Sequence, residues 1–293
     1  MRDSNYIFAG NRFYVLQRML QQGLTVTSIY AVRNSYLQRA LDAQGLEYAI
    51  INSSRQLVQR LLNSEFDILI SNGLPFILPA TEIKENTGAI LTNIHPSCLP
   101  DLRGVDPVRG AFLYGRQSGA TCHHIDDGVD TGDIISQVAI PNTPDLDSGL
   151  LYQLCFQAEV RVFDMALERK FKSTQVQVGT GSDIYYTMKP EHREIDWGAD
   201  GEVILRQIRA FGTLSQGARF SYAGTTIKVL DAEWVTNPFI LEQINDYQEN
   251  QVVFNYENCL LVRKGAAFLK LKYIQGDISA IKPGTILGKT DIE

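Results

Sequence analysis

Cysteine is scarce in this chain of 293 residues, and its four copies, Cys98, Cys122, Cys155 and Cys259, stand far apart. No C-x-x-C pair and no Cys/His ligand spacing occurs, which excludes a disulfide framework and a zinc site and fits a reducing cytoplasm. Long apolar runs are missing too: nothing approaches the roughly 20 residues of a membrane-spanning helix, so no membrane partner is expected. The start, MRDSNYIFAG, has neither the apolar core nor the cleavage site of a signal peptide. Positive charge is in short supply, with 27 Lys+Arg against 33 Asp+Glu and a net charge of −6. Residues 201–293 are neutral on balance. A nucleic-acid partner usually demands a basic stripe, and neither part offers one. Glycines of a phosphate loop are also lacking. The first apolar run, Tyr6–Gly10, ends in a single glycine without G-x-G-x-x-G or G-x-x-x-x-G-K-[ST], which disfavours a dehydrogenase. Gly10 reads instead as a tight turn.

What the sequence does contain is a regular alternation. Short apolar runs at Tyr6–Gly10, Thr25–Tyr30, Tyr48–Ile51 and Phe66–Ile70 read as strands. Between them, Phe13, Leu16 and Leu20, then Ser35–Ala43, then Gln56–Leu62 read as helices, with Ser53 or Ser54 as a cap. This rhythm predicts βαβ units and a mainly parallel, Rossmann-like sheet with right-handed crossovers. Ile134–Ile140 reads as a further strand and Ser148–Arg169 as a long helix capped by Ser148. Residues 173–200 are polar and broken by Gly-Thr-Gly and Lys-Pro, which predicts a linker. From Gly217 the pattern alternates with glycine turns, which predicts a small OB-like β-barrel. The expected domains are 1–172, a linker over 173–200, and 201–293.

The most informative stretch runs from Thr92 to Ile135. Asn93 and His95 lie two apart at the end of a strand, so they point the same way. Pro96 and Pro100 force the chain out of the sheet there, and ligands of open α/β sheets bind outside the carboxyl ends of strands. An amide donor beside an imidazole can stabilise an oxyanion and move a proton. Taken singly, each residue is as well explained by a turn cap or a hydrogen-bonded core histidine. Thirty residues on, Asp126, Asp127, Asp130 and Asp133 crowd an acidic loop. Its spacing is not that of an EF-hand, and a carboxylate brought near His95 would orient the ring. His123 and His124 precede that loop on a strand and face opposite sides.

N-I-H-P-S-x-L-P-x-x-R-G-x-x-P followed by H-x-I-D-x-G-x-D-T-G-D-I resembles the folate-dependent formyltransferases, tightly over residues 89–137 and loosely elsewhere. The family includes enzymes acting on methionyl-tRNA, on glycinamide ribonucleotide and on nucleotide-linked amino sugars. The resemblance implies that Asn93, His95 and Asp130 are catalytic. It implies that Ser71, Asn72, Gly73, Leu74 and Phe76, with Ile125, Asp126 and Val129, hold the pterin of 10-formyltetrahydrofolate. Arg103, Gly104 and His123 would meet the acceptor, and no metal would be required.

Three departures from the tRNA-acting branch bear on the acceptor. Val32–Leu46 is short and carries no basic run, where that branch usually has a basic insertion. The C-terminal part has no net positive charge. Gly104-Val105-Asp106-Pro107 differs from the R-G-A-A-P of that branch. The expected acceptor is therefore a small-molecule amine, most plausibly an amino sugar on a nucleotide. Methionyl-tRNA is the alternative, and a catalytically silent member that binds folate or a partner is the second. A homodimer through the barrel or the linker is compatible with the sequence.

Overall fold

Strands buried on both faces read as continuous apolar runs, and Tyr6–Gly10 and Ile68–Asn72 are strands of that kind. The computed structural model describes residues 4–288. It begins with β1 (Asn5–Gly10), α1 (Tyr14–Gln21), β2 (Thr25–Val32), α2 (Tyr36–Gln44) and β3 (Ala49–Ile51). Next come α3 (Ser54–Leu62), β4 (Ile68–Asn72), α4 (Ala80–Thr87) and β5 (Ile90–His95). They are followed by β6 (Arg103–Gly104), α5 (Pro107–Tyr114), β7 (Ser118–His124), β8 (Ile134–Ile140), α6 (Ser148–Glu168) and β9 (Tyr185–Tyr186). The remainder holds α7 (Gly201–Ala210), β10 (Ala218–Tyr222), β11 (Thr225–Val235), α8 (Pro238–Leu241), β12 (Val252–Tyr256), β13 (Cys259–Lys264) and β14 (Ala267–Gln275).

Contacts divide the chain into two units. The first takes the residues up to Pro107, with Gln117–Thr143 and Tyr152–Thr187. Its seven-stranded sheet has the order β3-β2-β1-β4-β5-β7-β8. The strands β3 to β5 run parallel, and β7 and β8 are antiparallel to their neighbours. All five residues of β4 are buried. Register decides which residues share the carboxyl end of the sheet: Ser71 of β4 pairs with Asn93 of β5, and Asn93 pairs with His123 of β7. These three stand in one row across three strands.

Local signals fix the helices. Ser35 and Ser53 accept the amides of Gln38 and Gln56, and Gly45 closes α2 in the left-handed region at φ 64°. α4 is a helix the sequence pattern does not announce. Only Ala80 and Ile83 are buried in it, too few to show a helical period, although Gly88 ends it at φ 68°. The cap of α6 is Asp147 and not Ser148. The Asp147 carboxylate accepts the Leu150 amide at 2.7 Å, while the Ser148 hydroxyl is buried without a partner.

The second unit comprises Val108–Arg116, Pro144–Leu151 and the residues from Met188 onward. The segment read as a linker is thus shared, its first part counting with the first unit. The expected small β domain is a five-stranded antiparallel sheet of order β10-β11-β14-β13-β12. Its core packs Ile204 and Ile208 of α7 with Phe220, Ile227, Leu269 and Leu271 of the sheet. Trp197 meets Phe220 edge-to-face at 5.3 Å between ring centroids. Among the described residues no helix is long and apolar enough to cross a membrane.

Candidate active site

Asp130 gathers the polar residues at the end of the first unit's sheet. It sits in the left-handed region at φ 53°, where a non-glycine residue is held only by its surroundings. Its Oδ1 accepts the Asn93 side-chain amide at 3.2 Å and lies 3.5 Å from His123 Nε2. Its Oδ2 accepts the Gly104 backbone amide at 3.0 Å and lies 3.5 Å from His95 Nδ1. One carboxylate therefore touches both residues of the Asn93-x-His95 pair. The other aspartates of the loop do different work. Asp127 binds the amide and hydroxyl of Thr81 on α4, and Asp126 accepts the Thr131 hydroxyl at 2.6 Å and the Gly128 amide.

Each ring has an assignable tautomer. His95 is buried, and its Nε2 lies 2.9 Å from the Leu102 carbonyl, which can only accept, so Nε2 carries the proton. That leaves Nδ1 as the nitrogen facing Asp130. His123 Nδ1 donates to the His124 carbonyl at 2.7 Å, so its Nε2 accepts from Asn93 at 3.2 Å. Both amide hydrogens of Asn93 are thereby engaged.

Burial dominates the electrostatics. It pushes the proton affinity of His95 below the ordinary histidine value, with the charge of Asp130 opposing it. Burial also works against the charge on Asp130, yet His95, His123 and the Gly104 amide hold its carboxyl below the usual carboxylate range. Asp130 is therefore held as an anion, facing a ring whose hold on a second proton is weakened by burial. Burial pushes the Cys98 thiol up to about 11 and the Cys155 thiol up to about 12, which fits packing rather than nucleophilic roles.

A cavity of about 510 Å³ opens on this cluster. Asn93, His95 and Asp130 line it, as do Gly104 and His123. So do Ser71, Gly73, Leu74, Phe76, Ile125, Asp126 and Val129. Two residues expected at the ligand are not among those lining the cavity. Asn72 is fully buried and donates to the Ile94 carbonyl at 3.3 Å, bracing the peptide between Asn93 and His95. Arg103 is buried too: its guanidinium binds the Asp130 carbonyl, the Gln177 side chain and the Tyr185 hydroxyl, with the Tyr185 ring 5.5 Å away. Through the Asp130 carbonyl it braces that residue.

Other cavity residues escaped the sequence reading. Asn11 and Arg12 follow β1, and Tyr185, Tyr186 and Thr187 come from the supposed linker. β9 pairs with β6, so Tyr186 lies beside Gly104, whose φ of 106° and a Tyr186 carbonyl 2.9 Å from any added Cβ admit only glycine. Gln177 carries no motif, yet its side chain joins Arg103 to the Gly132 carbonyl.

Residues 30–167 match the formyl transferase family and residues 187–277 its C-terminal domain. Together the two matches take in most of the chain, which belongs to the formyltransferase family. The methionyl-tRNA formyltransferase of Halalkalibacterium halodurans is 24% identical over 94% of this chain and 95% of its own. That of Marinobacter nauticus is 31% identical over 52% of this chain, and the match takes in 50% of its length. The trifunctional purine biosynthetic protein adenosine-3 of Drosophila melanogaster is 38% identical over 45% of this chain, which spans only 10% of that protein. Among solved structures, WlaRD, a sugar 3N-formyl transferase seen with dTDP and 5-N-formyl-THF, has a TM-score of 0.69 at 21% identity, covering 92% of this chain and 97% of WlaRD. The N-formyltransferase of Helicobacter canadensis, in complex with folinic acid and dTDP-3-aminofucose, has a TM-score of 0.69 at 19% identity and covers 92% and 98%.

Proposed function

We propose that this protein transfers a formyl group from 10-formyltetrahydrofolate to the primary amine of a small acceptor, an amino sugar carried on a nucleotide. The observation that carries the reading is the single carboxylate of Asp130 contacting Asn93, His95 and His123 at the wall of one cavity.

The cavity suits a folate donor. Leu74, Phe76, Ile125 and Val129 give apolar faces for a flat ring, and the Ser71–Phe76 and Ile125–Val129 loops bring backbone groups to its edges. The donor supplies an activated one-carbon unit when bound. The chain's own residues do the rest. The attacking amine must be uncharged to offer its lone pair, so its neighbour must be a base. His95 is neutral and its Nδ1 is unprotonated. As the new C–N bond forms, the proton leaving the amine passes to Nδ1, where Asp130 stabilises the resulting imidazolium. Asn93 turns one amide hydrogen from His123 to the formyl oxygen as negative charge builds there, a contribution worth roughly 10²–10³ in rate. The bond to N10 then breaks, and the proton held on His95 is returned to the leaving nitrogen.

A small acceptor is supported by the missing basic run in Val32–Leu46 and by the neutral C-terminal part. Methionyl-tRNA is the second reading, favoured by the full-length similarity to the enzyme of Halalkalibacterium halodurans. Formylation assays with methionyl-tRNA, glycinamide ribonucleotide and a panel of nucleotide-linked amino sugars decide between them. Turnover confined to the sugar panel is expected, and turnover on the tRNA alone would overturn the choice.

A further inference from the structure

One charged pair in the first unit has no part in the proton chemistry. Arg12 is the one Lys or Arg among the residues lining the cavity. Its Nη1 is paired with Glu159 of α6, 147 residues away in sequence. The Glu159 side chain is completely buried and that of Arg12 is 18% exposed. Phe156, one turn earlier on α6, lies 5.7 Å from the guanidinium carbon and stacks on Tyr14 at 5.0 Å between ring centroids. The guanidinium is thus fixed by a carboxylate at one edge and an aromatic face beside it.

As a device for stability this arrangement is a poor one. Taking a carboxylate out of water costs more than an ion pair reliably returns, and a well-packed apolar pair would serve better. Burial raises the proton affinity of Glu159, and the Arg12 charge and the Asn72 side chain oppose it. The gain is in geometry. Arginine has five N–H donors in a planar fork. Among the described residues Glu159 is the acceptor that reaches it, so most of the fork is left for a ligand in the cavity. Arg12 also lies close enough to His95 for its charge to lower that ring's proton affinity. An anion held there would sit near the reacting amine. Phe13, the next residue, begins α1 without any side-chain cap, so the amides of the first turn add partial positive charge to the same loop.

We infer that Arg12, aimed by Glu159, is the specificity residue that receives a phosphate group of a phosphorylated amine acceptor. The inference rests on the formyl-transfer reading above and names the anchor by which that acceptor is held. A planar fork pairs with phosphate oxygens through two parallel hydrogen bonds.

The test is equilibrium binding of dTDP to the full chain in the presence of 5-formyltetrahydrofolate, with inorganic pyrophosphate as competitor. Arg12→Met is expected to weaken dTDP about 10- to 100-fold, the range of a charge-assisted pair of hydrogen bonds. Its affinity for 5-formyltetrahydrofolate should stay as in the wild type, while its melting temperature falls because the buried Glu159 loses its partner. Arg12→Lys, which keeps the charge and loses the fork, should recover part of the affinity. Glu159→Gln tests the aiming, and if it fails to fold the arginine variants still decide. Unchanged dTDP binding in Arg12→Met would overturn the inference. So would a loss confined to the folate, which would give Arg12 to the donor's glutamate carboxylates. A wild type that binds 5-formyltetrahydrofolate and formylates an amine, yet binds neither dTDP nor pyrophosphate, would also overturn it and leave formyl transfer standing. A wild type that binds no folate would remove the underlying reading itself.

Discussion

The Gly104 amide donates to Asp130 Oδ2 at 3.0 Å, and both residues hold positive φ, 106° and 53°. Each constrains the other. Gly104 makes the bond where its backbone passes against the Tyr186 carbonyl, and Asp130 holds a left-handed backbone that aspartate adopts more readily than most residues. Gly104→Ala would place a Cβ 2.9 Å from that carbonyl. We expect it to lose about 1–3 kcal/mol of stability and most of its activity, read by urea denaturation and by formylation rate. A stable, fully active Gly104→Ala protein would contradict this account of the joint.

Arg103 should behave as a positioning residue. Its buried guanidinium serves the Asp130 carbonyl, Gln177 and Tyr185. Arg103→Met is expected to destabilise the fold by about 2–3 kcal/mol, because it strands buried acceptors. It should lower kcat while leaving KM for the acceptor within a few-fold. A rise in acceptor KM with kcat intact would return Arg103 to the substrate.

Stability should fall with acid in two stages. His95 has a folded proton affinity below its unfolded value of about 6.5, and Asp130 has one below its unfolded value of about 3.9. For groups depressed in this way, the stabilisation is complete above the unfolded value and is lost as pH falls through the folded one. Denaturation midpoints measured from pH 8 downward should therefore begin to decline near the first value and steepen below the second. His95→Asn should flatten the upper decline and Asp130→Asn the lower one, whatever each does at pH 8. An unaltered slope in both variants would show that neither group is shifted.

Most of the sheet was legible in the sequence, because a run such as Ile68–Asn72 is buried by the very pattern that announces it. The Asn93–His95 pair was legible for a geometric reason: residues two apart on β5 share a side, and both meet one carboxylate. Which carboxylate it is came from resemblance to known sequences, since Asp130 is singled out among four by a backbone conformation that no pattern encodes. Arg12 and Glu159 meet across 147 residues, and Gln177 reaches Arg103 across 74, contacts between distant segments that no local pattern encodes. The Asp147 cap was missed because a serine stood one position later. Asp147→Ala should cost about 1 kcal/mol and Ser148→Ala almost nothing, as paired urea melts would show.

The central claim is that Asn93, His95 and Asp130 together carry formyl transfer. It is tested most directly by single-turnover transfer from 10-formyltetrahydrofolate to whichever amine the wild type accepts, with 5-formyltetrahydrofolate affinity measured on the same samples. His95→Ala should lower the transfer rate by about 10²–10⁴ while the folate affinity stays within a few-fold. A His95→Ala protein that still transfers at the wild-type rate would contradict the account.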